Sequence, residues 1–237
     1  MSEVENLVAN GVKEVVLISQ DTTKFGFMNG SELSELLKEI NSVVGDFKIR
    51  VMYLYPGKVD RSLLETIKKL KKVVNYLEIP VQHISDTVLK EMNRTYSGND
   101  IRKMINEIKD VFGDNYALRT TFISSFPAEK NKDHEFLKKF IDEGNFDYSG
   151  AFKYSKEEFT KAGKMKSIPK KEADNRFAEI DRSAHLAMEK RLDRFIGLEM
   201  EVLYEGIDPE LNVPVGRGWH QAPEIDGITI LTNVENE

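Results

Sequence analysis

Short apolar segments alternate with stretches of helical spacing along most of the chain. The apolar segments are rich in β-branched and aromatic residues, as strands are, and cover 15–19, 49–55, 76–81, 118–123 and 146–154. The stretches between them have helical periodicity, as in Leu33, Leu36, Leu37 and Ile40. One strand and one helix recur about every 30 residues, the length of a right-handed βαβ crossover. The pattern therefore predicts an α/β domain with a parallel sheet.

Polar side chains follow the predicted strands at their C-terminal ends. They are Gln20, Asp21, Thr22 and Thr23 after the first strand, Gln82 and His83 after the third, Ser124 and Ser125 after the fourth, and Ser155 after the fifth. In barrels and in open parallel sheets the C-terminal strand ends form the ligand-binding face. We therefore expect the functional site at this edge.

The pattern of the sequence changes at Gly197. A long amphipathic stretch follows Pro169, and from Leu198 the chain has short alternating runs separated by glycine and proline. Such runs predict a small antiparallel β-barrel. We therefore divide the chain into a domain of residues 1–197 and a second domain of residues 198–237.

The composition narrows the possible functions. The 237 residues contain no cysteine, which excludes disulfides, thiolate catalysis and thiolate-held iron–sulfur clusters within them. No apolar run approaches the ~18 residues of a membrane span, and the first residues do not resemble a leader peptide. The sequence predicts a cytoplasmic protein without membrane contact.

Charge is unevenly distributed along the chain. Of the net charge of −6, residues 198–237 carry −8, with Arg217 as their one basic residue, which leaves about +2 in residues 1–197. Nucleic-acid binders normally present a basic face, whereas an acidic domain is complementary to a basic protein. The charge therefore favours a basic protein partner over RNA.

Four stretches resemble the radical S-adenosylmethionine methylthiotransferases and occur in that family's order. They are LISQDTTKFG at 17–26, YLEIPVQHISDTVLKEMNR at 76–94, LRTTFISSFPAE at 118–129 and VGRGWHQAPEIDG at 215–227. The QDTT and APEIDG stretches are most similar to the RimO-type branch, whose members methylthiolate an aspartate of ribosomal protein S-twelve.

The resemblance implies a partial (β/α) radical-SAM barrel in residues 1–197 and a TRAM-like β domain in residues 198–237. It also implies a transferase that uses S-adenosyl-L-methionine and 4Fe-4S clusters and acts on a basic small-subunit ribosomal protein, with tRNA not expected as a partner. In the family a CxxxCxxC loop after the first strand holds a cluster, and here that loop would lie upstream of Met1. We therefore expect the chain to be part of a parent enzyme, cut off before its iron ligands and inactive alone.

The resemblance also places cofactor-binding residues at the strand ends. They are Gln20, Asp21, Thr22, Gln82, His83, Arg94, Ser125, Phe126, Tyr154 and Ser155. It assigns no catalytic residue and no metal ligand to this chain. Each position also has an ordinary structural interpretation, such as a polar loop before a helix, a structural histidine, or a cation that suits the end of a helix.

The sequence departs from the family pattern GFPGET. Ser125 and Ala128 replace its two glycines, and Lys130 replaces its threonine. Phe159 likewise stands where glycine is common in the family. Glycine serves where the backbone approaches a ligand closely or has a positive φ, so these changes predict a narrower cofactor pocket.

Other functions remain open at this point. A tRNA methylthiotransferase would share the fold, although the acidic tail argues against it. A cysteine-free binding protein that has lost the chemistry is the alternative from a different class. A phosphate-binding barrel is disfavoured, because no glycine-rich loop opens a helix.

Overall fold

The computed structural model describes residues 1–26 and 32–232. Its strands are β1 Glu14–Leu17, β2 Lys48–Val51, β3 Val73–Glu78, β4 Ala117–Ser124, β5 Tyr148–Lys153, β6 Val202–Ile207, β7 Pro214–Gly218 and β8 Thr229–Ile230. Its α-helices are α1 Ser2–Ala9, α2 Leu33–Ser42, α3 Arg61–Lys69, α4 Asp86–Glu91, α5 Gly98–Phe112, α6 Asn131–Asp142 and α7 Lys170–Leu192. Each of the five predicted strand segments contains or overlaps one of β1 to β5.

The first five strands form one parallel sheet in the order β1-β2-β3-β4-β5. Each strand pairs with the next in the chain, as when Leu77 of β3 lies opposite Leu118 of β4. All the strands run the same way, so their C-terminal ends meet at one edge. The predicted α/β fold class is confirmed.

Local sequence signals position the helices. The Ser97 side chain accepts a hydrogen bond from the Asp100 amide and thereby caps the start of α5, while the Asp100 carboxylate binds back to the Ser97 amide. Helix α7 begins directly after Pro169, which suits a helix start. Gly197, with φ of +80°, turns the chain out of the helical region toward β6.

One face of the parallel sheet, called the outer face below, packs against helices through apolar side chains. Leu77, Leu118 and Phe122 are fully buried in a core that includes residues from α2, α3, α5 and α6. Phe122 contacts two more rings edge to face, Phe140 of α6 and Phe146. Side chains alternate along a strand, so packing against these helices fixes which residues of each strand belong to the outer face and which to the opposite, inner face.

The inner face of the sheet is covered by a different part of the chain. Met52, Tyr76 and Tyr148 form a second cluster with Ala222 of the small domain. The end of α7 and Trp219 pack against it as well. The small domain therefore lies on the inner face of the sheet.

The small domain contains β6, β7 and β8, which form an antiparallel sheet. The antiparallel β structure predicted after residue 197 is confirmed, and residues 233–237 lie outside the described part. No helix within the described ranges is long and apolar enough to cross a membrane.

Candidate functional site

A cavity of about 430 Å³ opens at the C-terminal edge of the parallel sheet. Three of the predicted site residues line it: Gln20, Gln82 and Arg94. They come from the ends of β1 and β3 and from the segment after α4, so the topology brings together residues far apart in sequence. This location agrees with the expectation that the strand ends carry the site.

Three neighbouring strand ends have a left-handed backbone at a residue other than glycine. Tyr53 has φ of 58°, Gln82 of 64° and Ser125 of 63°. This conformation is unfavourable for residues with a Cβ and persists where the surroundings enforce it. Here hydrogen bonds hold each amide, and those of Tyr53 and Ser125 donate to the carboxylates of Glu78 and Glu129 at 3.0 and 2.8 Å. Backbone strain thus concentrates at the edge where the cavity opens.

Arg94 brings an uncompensated positive charge to the cavity. Its Nε is buried without a hydrogen-bond partner, and its guanidinium forms no ion pair with any residue in the described ranges. An unpaired guanidinium in a partly buried site favours an anion, and its planar donors match a carboxylate. Arg94 is therefore the clearest ligand-binding group of the cavity.

Glu78 and Arg119 also line the cavity, although the sequence analysis did not single them out. Burial raises the pKa of the Glu78 carboxyl above its ordinary value, and the Tyr53 amide and Arg119 partly oppose that effect. Glu78 Oε1 lies 4.0 Å from Arg119 Nε, too far for a hydrogen bond. Arg119 is bound instead by Asp226 of the small domain.

The residues after Gln20 are not part of the same cavity. The Thr22 hydroxyl donates to the Met52 carbonyl oxygen at 2.6 Å, and the side chain is buried. Asp21 accepts from the Thr23 hydroxyl and lies 3.4 Å from Lys24 Nζ, beside a separate cavity of about 590 Å³ next to β1. Both residues stabilise the loop that carries Gln20.

His83 lies against the loop that follows β4, beside Glu129. It is fully buried, and its Nδ1 accepts a hydrogen bond from the Ser85 amide at 3.0 Å. The ring proton of neutral His83 then lies on Nε2, which is 3.6 Å from Glu129 Oε2. The structure thus places His83 against Glu129, away from the cavity lining that the sequence suggested.

Glu129 connects the loop after β4 to helix α7. Its side chain is fully buried and accepts from the Ser125 amide and from Arg176 Nη1, the latter at 3.0 Å. The Ser125 hydroxyl donates to the Ala173 carbonyl oxygen at 3.2 Å, which turns that side chain toward α7. Of the two replaced glycines, Ser125 has the positive φ that favours glycine, and Ala128 does not.

Phe126 and Tyr154 form an aromatic pair beside this loop. Their rings meet edge to face, with centroids 5.2 Å apart, and Phe126 is buried. The Tyr154 hydroxyl is buried without a hydrogen-bond partner in the described ranges, and neither ring lines the cavity. Ser155, by contrast, is exposed to solvent.

The missed residues had a sequence signal. Glu78 follows Leu77 in β3 and Arg119 follows Leu118 in β4, and a period of two puts each charged residue on the face opposite to its apolar neighbour. A strand with an apolar outer face and charges on its inner face predicts a polar lining. Ile225, which also lines the cavity, had no such signal because it comes from the small domain.

Metal-ligating side chains group outside the cavity. His134, Glu135 and Glu179 are the one such group within 1–26 and 32–232, and they lie on α6 and α7. His134 Nε2 is 3.1 Å from Glu179, and Lys138 Nζ is 3.8 Å from the same carboxylate, so this carboxylate already has a hydrogen-bond partner and a nearby cation. The cavity has no thiolate, because the chain has no cysteine. These residues therefore do not fit an iron–sulfur cluster.

Two family models match the chain. The radical SAM superfamily matches residues 1–141, and the TRAM domain matches residues 196–237. The chain belongs to the radical SAM superfamily.

Among curated proteins the chain is similar to ribosomal protein uS12 methylthiotransferases named RimO. The identity is 42% to that of Thermotoga sp. strain RQ2, covering 97% of this chain and 53% of the relative. It is 42% to that of Thermodesulfovibrio yellowstonii, with 98% and 55% covered, and 40% to that of Aquifex aeolicus, with 98% and 54% covered. The RimO-type resemblance found in the sequence is confirmed, and the chain spans about half the length of these relatives.

Two solved structures share the fold. Coproporphyrinogen III oxidase (HemN) from Escherichia coli, a radical SAM enzyme, aligns with a TM-score of 0.58 at 16% identity, covering 84% of this chain and 46% of that one. Elp3 from Methanocaldococcus infernus with an N-terminal deletion aligns with a TM-score of 0.50 at 13% identity, covering 97% and 77%. At these identities the likeness concerns the fold alone.

Proposed function

We propose that the chain is the cofactor- and substrate-binding part of a RimO-type enzyme that methylthiolates an aspartate of ribosomal protein uS12. The similarity to uS12 methylthiotransferases over 97% of the chain supports this proposal. The combination of a radical SAM match and a TRAM match in one chain supports it too. By itself the chain is expected to lack activity, because it holds no cluster ligands.

The observation that carries the proposal is the unpaired Arg94 in the cavity at the strand ends. S-adenosylmethionine has an amino-acid carboxylate that a guanidinium binds bidentately. When bound, this cofactor supplies the methyl group and, in the family, the source of the radical. Arg94 would anchor the carboxylate, and the amides of Gln20 and Gln82 would bind other polar groups in the same cavity.

The remaining predicted residues would act around that cavity. Phe126 and Tyr154 lie outside the lining of the cavity and would support the loop after β4 as an aromatic pair, and Ser155 would remain at the solvent edge. Asp21, Thr22 and His83 would position the loops, and Ser125 would do so through its amide bond to Glu129.

The first test is calorimetric titration of S-adenosylmethionine into the chain and into Arg94→Gln. A lost charge-assisted hydrogen bond costs about 1.5–3 kcal/mol, so the variant should bind roughly tenfold more weakly or worse. Arg61→Gln is the control, because Arg61 is an exposed arginine of α3 that pairs with Asp110. Equal affinities of the parent and Arg94→Gln would show that Arg94 does not bind the cofactor.

The second test concerns the macromolecular partner. If the acidic domain docks a basic protein, binding to purified uS12 should weaken as salt rises, since exposed charges are screened within about 10 Å at 0.1 M. Fluorescence anisotropy with labelled uS12 and with labelled tRNA, at the same ionic strength, compares the two partners. Tighter binding of tRNA would favour the tRNA-modifying alternative.

A further inference from the structure

A second guanidinium, that of Arg119, lines the cavity. Arg119 lies near the start of β4, and its side chain is 15% exposed. Its Nη1 donates to Asp226, while its Nε has no partner within the described residues and Nη2 donates no hydrogen bond to them. Asp226 therefore holds Nη1, while Nε and Nη2 keep unused donors with, among the described residues, only the Glu78 carboxylate nearby, 4.0 Å from Nε.

Asp226 holds Arg119 from the small domain. Its side chain is fully buried and accepts from the Tyr76 hydroxyl at 2.6 Å, from the Ala222 amide at 2.9 Å and from Arg119. Burial raises the pKa of the Tyr76 hydroxyl, so Tyr76 remains a donor. Because three donors already engage it, the Asp226 carboxylate fixes Arg119 in position and has little remaining capacity of its own.

The surroundings of Arg119 leave room for an anion. Arg119 lines the cavity, and the neighbouring Gly150 of β5 places no side chain against it, although a Cβ there would lie at an ordinary contact distance of 3.9 Å from Arg119 Nη2. Arg94 adds a second positive charge to the same cavity. One acid, Glu78, also lines the cavity, and its Oε1 lies 4.0 Å from Arg119 Nε, beyond hydrogen-bond distance.

We propose that Arg119, positioned by Asp226, is the subsite for the carboxylate of the substrate side chain. This inference deepens the proposed function and rests on it, because that reaction brings two carboxylates into one cavity, one on the cofactor and one on the substrate aspartate. Arg94 takes the first. Arg119 lies beside Ile225 and Asp226, on the side where the acidic small domain would bring a protein partner.

The competing interpretation is that Asp226 only fastens the small domain to the sheet. Glu14 of β1 offers a matched control for this role. It accepts from Arg50 Nε at 2.8 Å and from Arg217 Nη2 at 2.7 Å, so it joins the same two domains. Glu14 lies outside the cavity that contains Arg119. A fastening role would make Asp226→Asn and Glu14→Gln behave alike, whereas a binding role separates them.

The experiment uses the full chain with a short peptide that carries one aspartate, its asparagine counterpart, and S-adenosylmethionine. Dissociation constants come from titration followed by NMR, with a melting curve for each variant. The parent should bind the aspartate peptide at least tenfold more tightly than the asparagine peptide. Arg119→Gln should abolish that preference, Asp226→Asn should reduce it several-fold, and Glu14→Gln should keep it despite a lower melting temperature. Arg119→Lys, which retains a positive charge, should keep part of it.

Each alternative result has a defined meaning. No preference for the aspartate peptide in the parent, or equal losses in Asp226→Asn and Glu14→Gln, overturns the inference. If Arg119→Gln weakens S-adenosylmethionine and leaves the peptide preference intact, Arg119 binds the cofactor and the substrate assignment is wrong. If the parent fails to bind S-adenosylmethionine while the peptide preference holds, the proposed function fails and the carboxylate subsite stands. Should Arg119→Gln not fold, the peptide preferences of Arg119→Lys and Asp226→Asn still test whether Arg119 binds the aspartate carboxylate.

Discussion

The two faces of the parallel sheet are buried by different means. The outer face packs through apolar side chains such as Leu77, Leu118 and Phe122 against the helices. The inner face carries Arg50, Glu78 and Arg119 along with apolar residues. The small domain covers it around Arg50 and Tyr76, where Trp219 and Ala222 pack. Apolar packing is non-directional, whereas a buried charge is tolerated only with a partner in the right place.

This difference separates stability from function within one sheet. The outer face provides most of the burial that holds the domain together. The inner face loses some of that benefit, because its charges must be desolvated, and gains a cavity in which Asp226 holds the Arg119 guanidinium in position. The small domain is part of this arrangement, since Asp226 engages both Arg119 and Tyr76.

The largest expected effect comes from removing an outer-face ring. Phe122→Ala should lower the free energy of unfolding by about 3–5 kcal/mol, because Phe122 is fully buried and its loss leaves a cavity beside Phe140 and Phe146.

On the inner face, Tyr76→Phe should lower the free energy of unfolding by about 1–3 kcal/mol, since Asp226 loses one hydrogen-bond donor while the ring remains. Urea denaturation of both variants measures the difference, and a larger loss for Tyr76→Phe would contradict this ranking of the two faces.

A smaller effect tests the contact between the small domain and the sheet. Burial lowers the pKa of His220 from its ordinary 6.5, and Asp147, Asp226, Arg50 and Arg194 act on it with opposing signs. A histidine whose pKa is lower in the folded state favours folding above pH 6.5 and loses that contribution as the pH falls. Its ring lies between Tyr148 and Phe195, with centroids 6.4 and 4.4 Å away, and its buried Nδ1 has no partner within the described ranges.

We therefore expect His220→Phe to reduce the loss of stability on acidification. Between pH 7.5 and 5.5 the parent should lose more stability than the variant, by up to about 1.4 kcal/mol, because protonation of the buried imidazole favours the unfolded chain. Urea denaturation across this pH range measures the difference. His185→Asn is the control, because His185 is exposed on α7 and its variant should follow the parent. Parallel pH profiles for the parent and His220→Phe would refute the effect.

The elements followed from the sequence with small errors at their ends. The segment 118–123 predicted β4, found at Ala117–Ser124, because it is a short run rich in β-branched and aromatic residues. The segment 146–154 predicted β5, found at Tyr148–Lys153. Phe146 is buried in the core that includes Phe140, so its hydrophobicity reflects helix packing rather than strand pairing.

The candidate site was only partly predictable. Of the residues predicted to bind the cofactor, Gln20, Gln82 and Arg94 line one cavity, while His83 and Thr22 are buried in support of neighbouring loops. A polar residue at a strand end points either into the site or into the loop behind it. The strand period is lost where the strand stops, so the sequence could not decide between these positions.

By itself the sequence determined the parallel α/β domain, the change to antiparallel strands after Gly197 and the family, because periodicity and motif order are local or collinear properties of the chain. Only the tertiary structure decided that Ile225 of the small domain lines the cavity and that Asp226 binds Arg119 there. Asp226 and Arg119 are 107 positions apart in the sequence. Their contact depends on how one domain packs on the inner face of the other, and no local pattern encodes that packing.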